Sequence, residues 1–425
     1  MSSSQSTDVQ VQVRLFTKQE QYAIPDSPCW IPVSSTIETL NNLVNAIILE
    51  SQSDRQHVDF DFLINNEFLR LPLGEHLQGK EISTEDVIDV EYVERHPSPE
   101  PQDCLMHDDW VSSAQTFGKW ILTGCYDGTV HIWTTKGTEV LTIPAHADPV
   151  KAVAWISVND KTSTFVSVSH DQSAHIWQWN ISDNAVECVV VCKGHERGLE
   201  CVSVNKDGSL MATGSWDTFL KIWGASLEDT DAGESSSKRL KGDNGKVRTP
   251  QMTLQGHKEA ILSAQWIDTN TIATASWDHT IKLWDAELGG IKSEIVGNKA
   301  FFDLDHSTVN NMIITCSADR HVRLYDPRSN EGSLVKQTYT SHTQWVQSVC
   351  WSKNEEHLFL SGGYDNQVKL WDCRSSKAPL FELSGHEDNV LTCDWSNPKY
   401  MVSGGKDNTV RIFKSKNANK KELES

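Results

Sequence analysis

Seven aspartates at regular intervals carry most of the chemistry that this sequence offers. Asp127, Asp171, Asp217, Asp278, Asp319, Asp365 and Asp407 each follow a hydroxyl by four residues: Thr123, Ser167, Thr213, Thr274, Thr315, Ser361 and Ser403. In six of the seven a histidine stands 20 to 25 residues upstream, namely His107, His146, His195, His257, His342 and His386. Histidine, hydroxyl and carboxylate are the members of a hydrolase triad, in which the carboxylate orients an imidazole that takes the hydroxyl proton. Repetition argues against that use, because an active site is unique whereas a structural role predicts the set in nearly every copy. A large ring six residues after each aspartate (Trp133, Trp177, Trp223, Trp284, Tyr325, Trp371 and Phe413) adds a fourth member with the same period.

The elements that must position these groups follow from the spacing. The aspartates are separated by 44, 46, 61, 41, 46 and 42 residues, all but one near the 40 to 45 residues of a four-stranded propeller blade. The stretch Ala275-Ser276-Trp277-Asp278-His279-Thr280-Ile281-Lys282-Leu283-Trp284-Asp285 shows the unit: a small residue, an aspartate in a tight turn, then an alternating strand ending in tryptophan. Three of the histidines sit in Gly-His pairs, Gly194-His195, Gly256-His257 and Gly385-His386.

These four residue types at matched offsets resemble the WD-repeat family, over about three quarters of the chain. The resemblance implies a mainly β fold with a seven-bladed propeller over residues 103–413, the outermost strand of the last blade coming from near Asp103 to Met106. It also implies a buried relay in each blade, from Asp to His to hydroxyl to the Trp indole. Such groups tolerate burial only when each is satisfied. Repeat five lacks the histidine, with Asn298-Lys299-Ala300-Phe301-Phe302 in its place, and Tyr325 replaces Trp; Phe413 has no N–H to offer. The seam near Asp103 is short and proline-flanked and is expected to be the weakest part of the ring.

The 61-residue spacing places an insertion at 224–250. It begins acidic (Glu228, Asp229, Asp231, Glu234) and becomes basic at Lys238-Arg239-Leu240-Lys241. Low apolar content predicts a disordered surface loop, with Lys238, Arg239 and Lys241 a candidate nuclear-import cluster. The tail 414–425 is charged and expected to fray.

Ahead of the repeats, Val9, Val11, Val13 and Leu15 alternate with polar residues as a half-buried strand does. A second strand is expected around Trp30 to Val33. Ser35 and Glu38 have capping-box spacing, and Ile37, Leu40, Val44, Ile47 and Ile48 form one helical stripe to about Glu50. Phe60 to Ile64 alternates again before an Asn65-Asn66 turn and the return Phe68-Leu69. Val87 to Val93 reads as a last strand. The order β-β-α-β-β-short helix-β over 9–94 is similar to a ubiquitin-like α+β domain. Pro97, Pro99 and Pro101 mark residues 95–102 as a stiff linker.

With 425 residues and a formal charge of −20, a broad nucleic-acid-coating surface is not expected, so any RNA contact is local. The ten cysteines show no CxxC pair and no Cys/His spacing suited to zinc, and reduced thiols in the cytosol or nucleus are expected. The polar N-terminus and the lack of any long apolar run predict neither secretion nor a membrane span. No phosphate-binding Gly-rich loop, metal-ligand cluster or unique nucleophile with its base is present, so no enzyme, no cofactor and no metal of its own are expected.

The pairing of a ubiquitin-like domain, a proline linker and a seven-bladed propeller resembles the large-subunit ribosome-assembly factors with an NLE-type N-terminal domain. Seven repeats, Val11-Gln12-Val13-Arg14-Leu15-Phe16-Thr17, Phe60-Asp61-Phe62-Leu63-Ile64 and Asp109-Trp110-Val111-Ser112-Ser113 are similar to the branch that joins pescadillo and the block-of-proliferation WD-repeat protein in the PeBoW complex. That resemblance implies a non-enzymatic scaffold in the nucleolus and nucleoplasm, acting in pre-rRNA processing and 60S maturation on the large-subunit pre-ribosome. It implies too that the small domain docks on the adhesion-site domain of midasin, an AAA ATPase whose ATP-driven pull releases the factor. Glu85, in Ser83-Thr84-Glu85, matches the glutamate that completes coordination of Mg²⁺ held by midasin, a hard cation that wants carboxylate oxygen. Read without the resemblance, Ser83 or Thr84 caps a turn and Glu85 is merely solvated. The alternative function is a substrate receptor of a cullin-type ubiquitin ligase, from the WDxR match Trp371-Asp372-Cys373-Arg374 and the near match Tyr325-Asp326-Pro327-Arg328.

Overall fold

The computed structural model describes residues 9–51, 56–80, 82–83, 85–227, 246–328 and 335–415. The chain divides into two compact units, Met1–Pro97 with Arg374–Ala378, and Ser98–Cys373 with Pro379–Ser425.

In the first unit the elements run β1 (Gln10–Phe16), β2 (Cys29–Pro32), α1 (Ile37–Ser51), β3 (Phe60–Ile64), β4 (Glu67–Phe68), α2 (Leu73–Gly79) and β5 (Ile88–Glu94). They build one sheet in the order β2-β1-β5-β3-β4, with β1 and β5 parallel and the other pairs antiparallel. This is the ubiquitin-like order. Val11, Val13 and Leu15 of β1 and Val90 and Tyr92 of β5 share a core with Leu40, Val44 and Ile48 of α1. Asn65 and Asn66, at φ 49° and 60°, supply the two positive-φ residues of the β3–β4 hairpin.

Two local expectations are corrected. The start of α1 is held by Thr36 and Thr39, not by Ser35 and Glu38: Thr36 N donates to Thr39 Oγ1 at 2.6 Å and Thr39 N to Thr36 Oγ1 at 3.4 Å. Ser35 is occupied elsewhere, its carbonyl accepting Leu73 N at the start of α2, so the same spacing one residue later takes over. The strand β3 is buried at every position and does not alternate. Asp61 tolerates this because Arg95 (3.0 Å) and Arg70 (3.7 Å) meet its carboxylate.

The second unit holds seven antiparallel sheets, the blades of a propeller. The first spans Val111–Phe117 to Glu139–Pro144, and the seventh joins Val390–Asn397, Tyr400–Gly405 and Thr409–Lys414 to the earlier strand Glu100–Met106. Closure therefore begins at Glu100, inside the stretch expected to be linker. Pro101 fits there because it lies on a sheet edge at a register shift, opposite Phe413, where a missing N–H costs little. Lys414 likewise belongs to the strand, opposite Glu100, and not to the tail. Second strands such as Trp120–Cys125, Thr271–Ser276 and Leu358–Gly363 are buried at every residue, since both faces of a blade pack on neighbours. Trp120, Leu122 and Ile132 of blade one, for example, pack with Trp155 and Trp177 of blade two.

Residues 246–250 of the insertion are among the described residues. Lys246–Arg248 adds a fifth, parallel strand to the edge Ala185–Lys193 of blade two, and Arg248 donates to the Gly224 and Ser226 carbonyls. Those bonds satisfy an edge that would otherwise stay open. The candidate import residues Lys238, Arg239 and Lys241 lie outside the described residues, as does the tail from 416 onward.

Around the central channel, of about 310 Å³, side chains of one innermost strand accept amide hydrogens from the next. In one tier Val153 N donates to Ser113, Leu304 N to Ser263, Val349 N to Asp303 and Cys393 N to Ser348. In a second tier Trp155 N donates to Gln115, Trp266 N to Ser203, Trp351 N to Asp305 and Thr116 N to Asp394. Blade two presents Ala152 and Ala154 at the matching positions and has no such tie to blade three, where Lys151 pairs with Glu200 at 3.3 Å. The closing strand Glu100–Met106, where the seam was expected to be weak, pairs with Thr409–Lys414, and on the innermost strands the junction between blades seven and one is among the best tied. Asp394 takes both the amide (2.9 Å) and the hydroxyl (2.6 Å) of Thr116, and Asn397 N donates to that hydroxyl at 3.0 Å. Burial pushes the Asp394 carboxyl upward and that of Asp303 to about 6. Replacing Asp394 with alanine strands several buried donors, at about 1–3 kcal/mol each. The thermal midpoint of Asp394→Ala is expected to fall several degrees further than that of Ser203→Ala, which frees one amide; equal midpoints in calorimetry would refute the ring-closing role.

Candidate functional site

Each repeat aspartate sits in a turn that forces the next residue to positive φ: Gly128, Gln172, Thr218, His279, Arg320, Asn366 and Asn408 range from 59° to 85°. The aspartate makes that turn affordable by accepting, through Oδ1, the backbone N–H two residues ahead, as with Thr129, Ser173, Phe219 and Thr280. Glycine is required only at 128, where a Cβ would lie 2.5 Å from the His146 carbonyl oxygen.

The second carboxylate oxygen reaches the histidine. His146 Nδ1 is 2.7 Å from Asp171 Oδ2, its Nε2 is 2.8 Å from Ser167 Oγ, and Trp177 Nε1 donates to that oxygen at 2.9 Å. The same chain runs through His195, Asp217, Thr213 and Trp223, and through His257, Asp278, Thr274 and Trp284. It recurs in His342, Asp365, Ser361 and Trp371. In the last blade His386 meets Asp407 (2.9 Å) and Ser403 (2.8 Å), and Phe413 supplies no donor. The network assigns each histidine as the Nδ1–H tautomer: Asp accepts, Nε2 accepts from the hydroxyl, and the hydroxyl accepts from Trp. In composition and distance these are Ser/Thr-His-Asp triads. Every hydroxyl in them is at most 1% exposed, so no substrate can reach it.

Blade one departs from the expected relay. His107 Nε2 reaches Thr123 Oγ1 at 2.9 Å, but its Nδ1 and Trp133 Nε1 are buried without partners, and Asp127 is turned outward onto Thr129. The cause lies two residues before the aspartate. A Cβ on Gly363 of blade six would stand 2.9 Å from Asp365 Oδ1 and 3.0 Å from His342 Nδ1, so this position borders the Asp–His bond. Blades two to four place Ser169, Ser215 and Ser276 there, each bracing its aspartate's amide at 3.1 Å, whereas blade one has Cys125. A thiol is bulkier and a poorer hydrogen-bonding partner than a serine hydroxyl. In blade five Arg323 takes the role of the missing histidine, pairing with Asp319, which also holds Ser317 at 2.6 Å.

Burial alone would raise the relay carboxyls. Hydrogen bonds from His146 and Ser173 outweigh it at Asp171, and those from His386 do so at Asp407, holding both at about 2; Asp217 and Asp365 are lowered in the same way. Burial pushes the unpaired His107 down to about 4.

In the small unit Glu85 lies on the exposed segment leading into β5. Its backbone N–H is held by Ser83 Oγ at 3.3 Å, and its carboxylate has no hydrogen bond or ion pair among the described residues. On the propeller, a set of exposed rings that could meet a partner escaped the sequence reading. Trp110, Trp277 and Trp345 on the propeller are 39%, 44% and 48% exposed. They lie on the loops and turns that also carry the relay histidines and aspartates, linked into an interrupted rim. Lys406 covers Trp110 at 4.7 Å and Tyr364 at 5.0 Å, Trp110 meets Tyr126, and Trp345 meets Tyr364. Trp216 packs on Trp277 and donates its indole N–H to Glu200. The gap in the rim falls at blade five, where Ala318 occupies the position before the aspartate. That position, holding Tyr126, Trp216, Trp277 and Tyr364 in a turn where polar residues are the rule, was the available clue.

The Trp-Asp part of the WDxR candidate is drawn into the fold, and Arg328 of the near match is 61% exposed. Trp371 is committed to Ser361 and Asp372 is 3% exposed, while Arg328 is paired with Asp326 at 3.0 Å.

Comparison with known proteins agrees with this architecture. Residues 11–77 match the NLE (NUC135) domain, and residues 100–134, 137–178, 186–224, 248–285, 292–326, 334–372 and 377–414 match the WD domain, G-beta repeat. The chain is 58% identical over 409 residues to a ribosome biogenesis protein WDR12 homolog of Aedes aegypti, covering 96% of each. It is 60% identical over 409 residues to that of Drosophila pseudoobscura pseudoobscura, again 96% of each, and 60% identical over 416 residues to that of Drosophila mojavensis, 98% of each.

The relay carboxylates generate a pH prediction. Their folded pKa lies below the unfolded value of about 3.9, so their contribution is complete above that value and is lost as pH falls toward 2. Asp171→Asn is expected to be less stable at pH 7, by about 1–3 kcal/mol, and to lose less than the wild type between pH 4 and 2. Urea melts across that range test it, and an unchanged slope would contradict the relay assignment.

Proposed function

The chain belongs to the family of WD-repeat ribosome biogenesis proteins with an N-terminal NLE domain, and we propose that it is a non-enzymatic scaffold in large-subunit assembly, held by its propeller and released through its small domain. Its role is in ribosome biogenesis. In this reading the propeller anchors the protein to pescadillo and the block-of-proliferation protein on the pre-ribosome, in the nucleolus and nucleoplasm. The exposed tryptophans of its rim favour a protein partner, since rings of this size supply contact area at little entropic cost. The protein itself needs no cofactor for this scaffold role.

The small domain is the handle. Glu85 carries this part of the proposal: an exposed carboxylate, free of ion pairs among the described residues, on a turn braced by Ser83. Such a group is available to complete the coordination of a Mg²⁺ held by the adhesion-site domain of midasin. Bracing the backbone fixes where the carboxylate stands without using its oxygens. Force from the ATPase would then act on a domain with its own core, Val13, Val44, Phe62 and Tyr92 among it.

Glu85→Ala is expected to remain folded and to lose Mg²⁺-dependent binding to the isolated midasin adhesion domain by about 2–5 kcal/mol, roughly 30-fold or more. Asp86→Ala, changing the exposed neighbour, is expected to bind as the wild type does. Titration calorimetry with and without EDTA measures both, and binding by Glu85→Ala equal to wild type would refute the assignment.

A further inference from the structure

The irregular first blade contains a donor set found in no other. His107, Cys125 and His131 are all buried, and one ligand atom from each lies within 4.8 Å of the others. We propose that these three side chains bind a zinc ion inside blade one.

The hydrogen bonds around the cluster leave lone pairs directed inward. His107 turns Nε2 to Thr123 Oγ1 at 2.9 Å, and its Nδ1 is buried near the Leu105 backbone without a hydrogen bond of full geometry. An orphaned ring nitrogen in a side chain 8% exposed is costly unless something occupies it. His131 Nδ1 is 3.0 Å from Glu139 Oε1, which makes it the protonated nitrogen. Its Nε2 faces Thr129 Oγ1 at 2.8 Å, but that hydroxyl donates to Asp127 Oδ1 at 2.6 Å and has no proton left for the imidazole. With His131 neutral, both histidines present a nitrogen lone pair while the opposite nitrogen is oriented by an oxygen. That is the arrangement in which metal-binding histidines are held, the carboxylate of Glu139 acting behind His131.

The chemistry of the set selects the ion. One thiolate and two imidazoles are borderline-soft ligands that suit tetrahedral Zn²⁺. Bonds of about 2.0–2.3 Å require ligand atoms about 3.3–3.7 Å apart, so the widest pair in the cluster needs to close by up to about 1.5 Å. The fourth position falls to water.

The other blades act as internal controls. Blade two also has paired histidines, His146 and His175, stacked at 4.1 Å, but Asp171 occupies His146 Nδ1 and Ser169 replaces the thiol. Blades three and four have Ser215 and Ser276 in the thiol position, and Lys221 and Lys282 where blade one has His131. These residues show no zinc spacing in the sequence because they come from three segments, 18 and 6 residues apart, that the blade brings together.

The same comparison supplies substitutions that the fold already accepts, Cys125→Ser and His131→Lys. The untagged full chain, stripped with a chelator and titrated with Zn²⁺ alone, is expected to retain about one ion per chain after dialysis. Co²⁺ is expected to give the intense visible bands of tetrahedral geometry and a near-ultraviolet thiolate band. Both variants are expected to keep the wild-type circular dichroism, to bind zinc at least about tenfold more weakly, and in Cys125→Ser to lose the thiolate band. Zinc is expected to raise the wild-type melting temperature and to leave that of Cys125→Ser unchanged. The proposal is overturned by a wild type holding under about a tenth of an ion per chain, by six-coordinate Co²⁺ without a thiolate band, or by folded variants that bind as the wild type does.

Discussion

In five of the seven blades a single carboxylate joins two loops that are far apart in sequence, and most of the propeller follows from it. One oxygen of the aspartate closes a turn whose next residue must adopt positive φ; the other takes the histidine of the loop entering the blade. In several blades that second oxygen also accepts the amide after the histidine, as with Glu196, Lys258 and Glu387. The turn costs backbone energy even for a tolerant residue, and most for β-branched Thr218 at φ 73°. Those hydrogen bonds offset the cost. Because the relay continues through a buried hydroxyl to an indole, removing any member strands the rest, which makes the blade's entry, turn and third strand a cooperative unit.

Rigid blades still need to be locked into a ring, and the lock is of a different kind. It uses side-chain oxygens on the innermost strands to take amide hydrogens from the following blade, and two of those oxygens belong to carboxylates that burial pushes up. The relay carboxylates go the opposite way, since an imidazole and a backbone amide stabilise their charge. Two populations of buried aspartate therefore do separate jobs. The alanines at 152 and 154 mark the one junction where the amide lock is replaced by the ion pair of Lys151 and Glu200.

Much of this was legible in the sequence, for a physical reason. A relay needs fixed residue types at fixed offsets, so its histidine, hydroxyl and carboxylate are written into the chain six times, and strands with one buried face announce themselves by period two. What escaped reading depended on distant parts or on competition between neighbours. Residues Glu100 to Gln102 were hidden by Pro101, whose reading as a linker holds only if its edge partner Phe413 is unknown. Ser35 and Thr36 had equal claims to the cap until α2 drew on the Ser35 carbonyl. The outward turn of Asp127 could not be seen in a motif that is formally intact, because it follows from a sulfur beside the Asp–His bond. The carboxylate of Glu85 was placed by resemblance; its sequence context, a serine two residues before a glutamate, is too common to single it out.

The division between repeated and unrepeated features separates structure from function in this molecule. Groups present in nearly every blade are sealed and mutually satisfied, so they cannot exchange their partners for a ligand without unfolding something. Groups that occur once have unspent bonding capacity. Glu85 offers an unpaired carboxylate, Trp277 and Trp345 offer exposed rings, and His107 offers a lone pair that its own blade leaves unused. A protein gains from keeping the two sets apart, because a ligand can then bind without disturbing the groups that hold the fold. Substitutions at the functional points then change what binds, and leave the relays that hold each blade undisturbed.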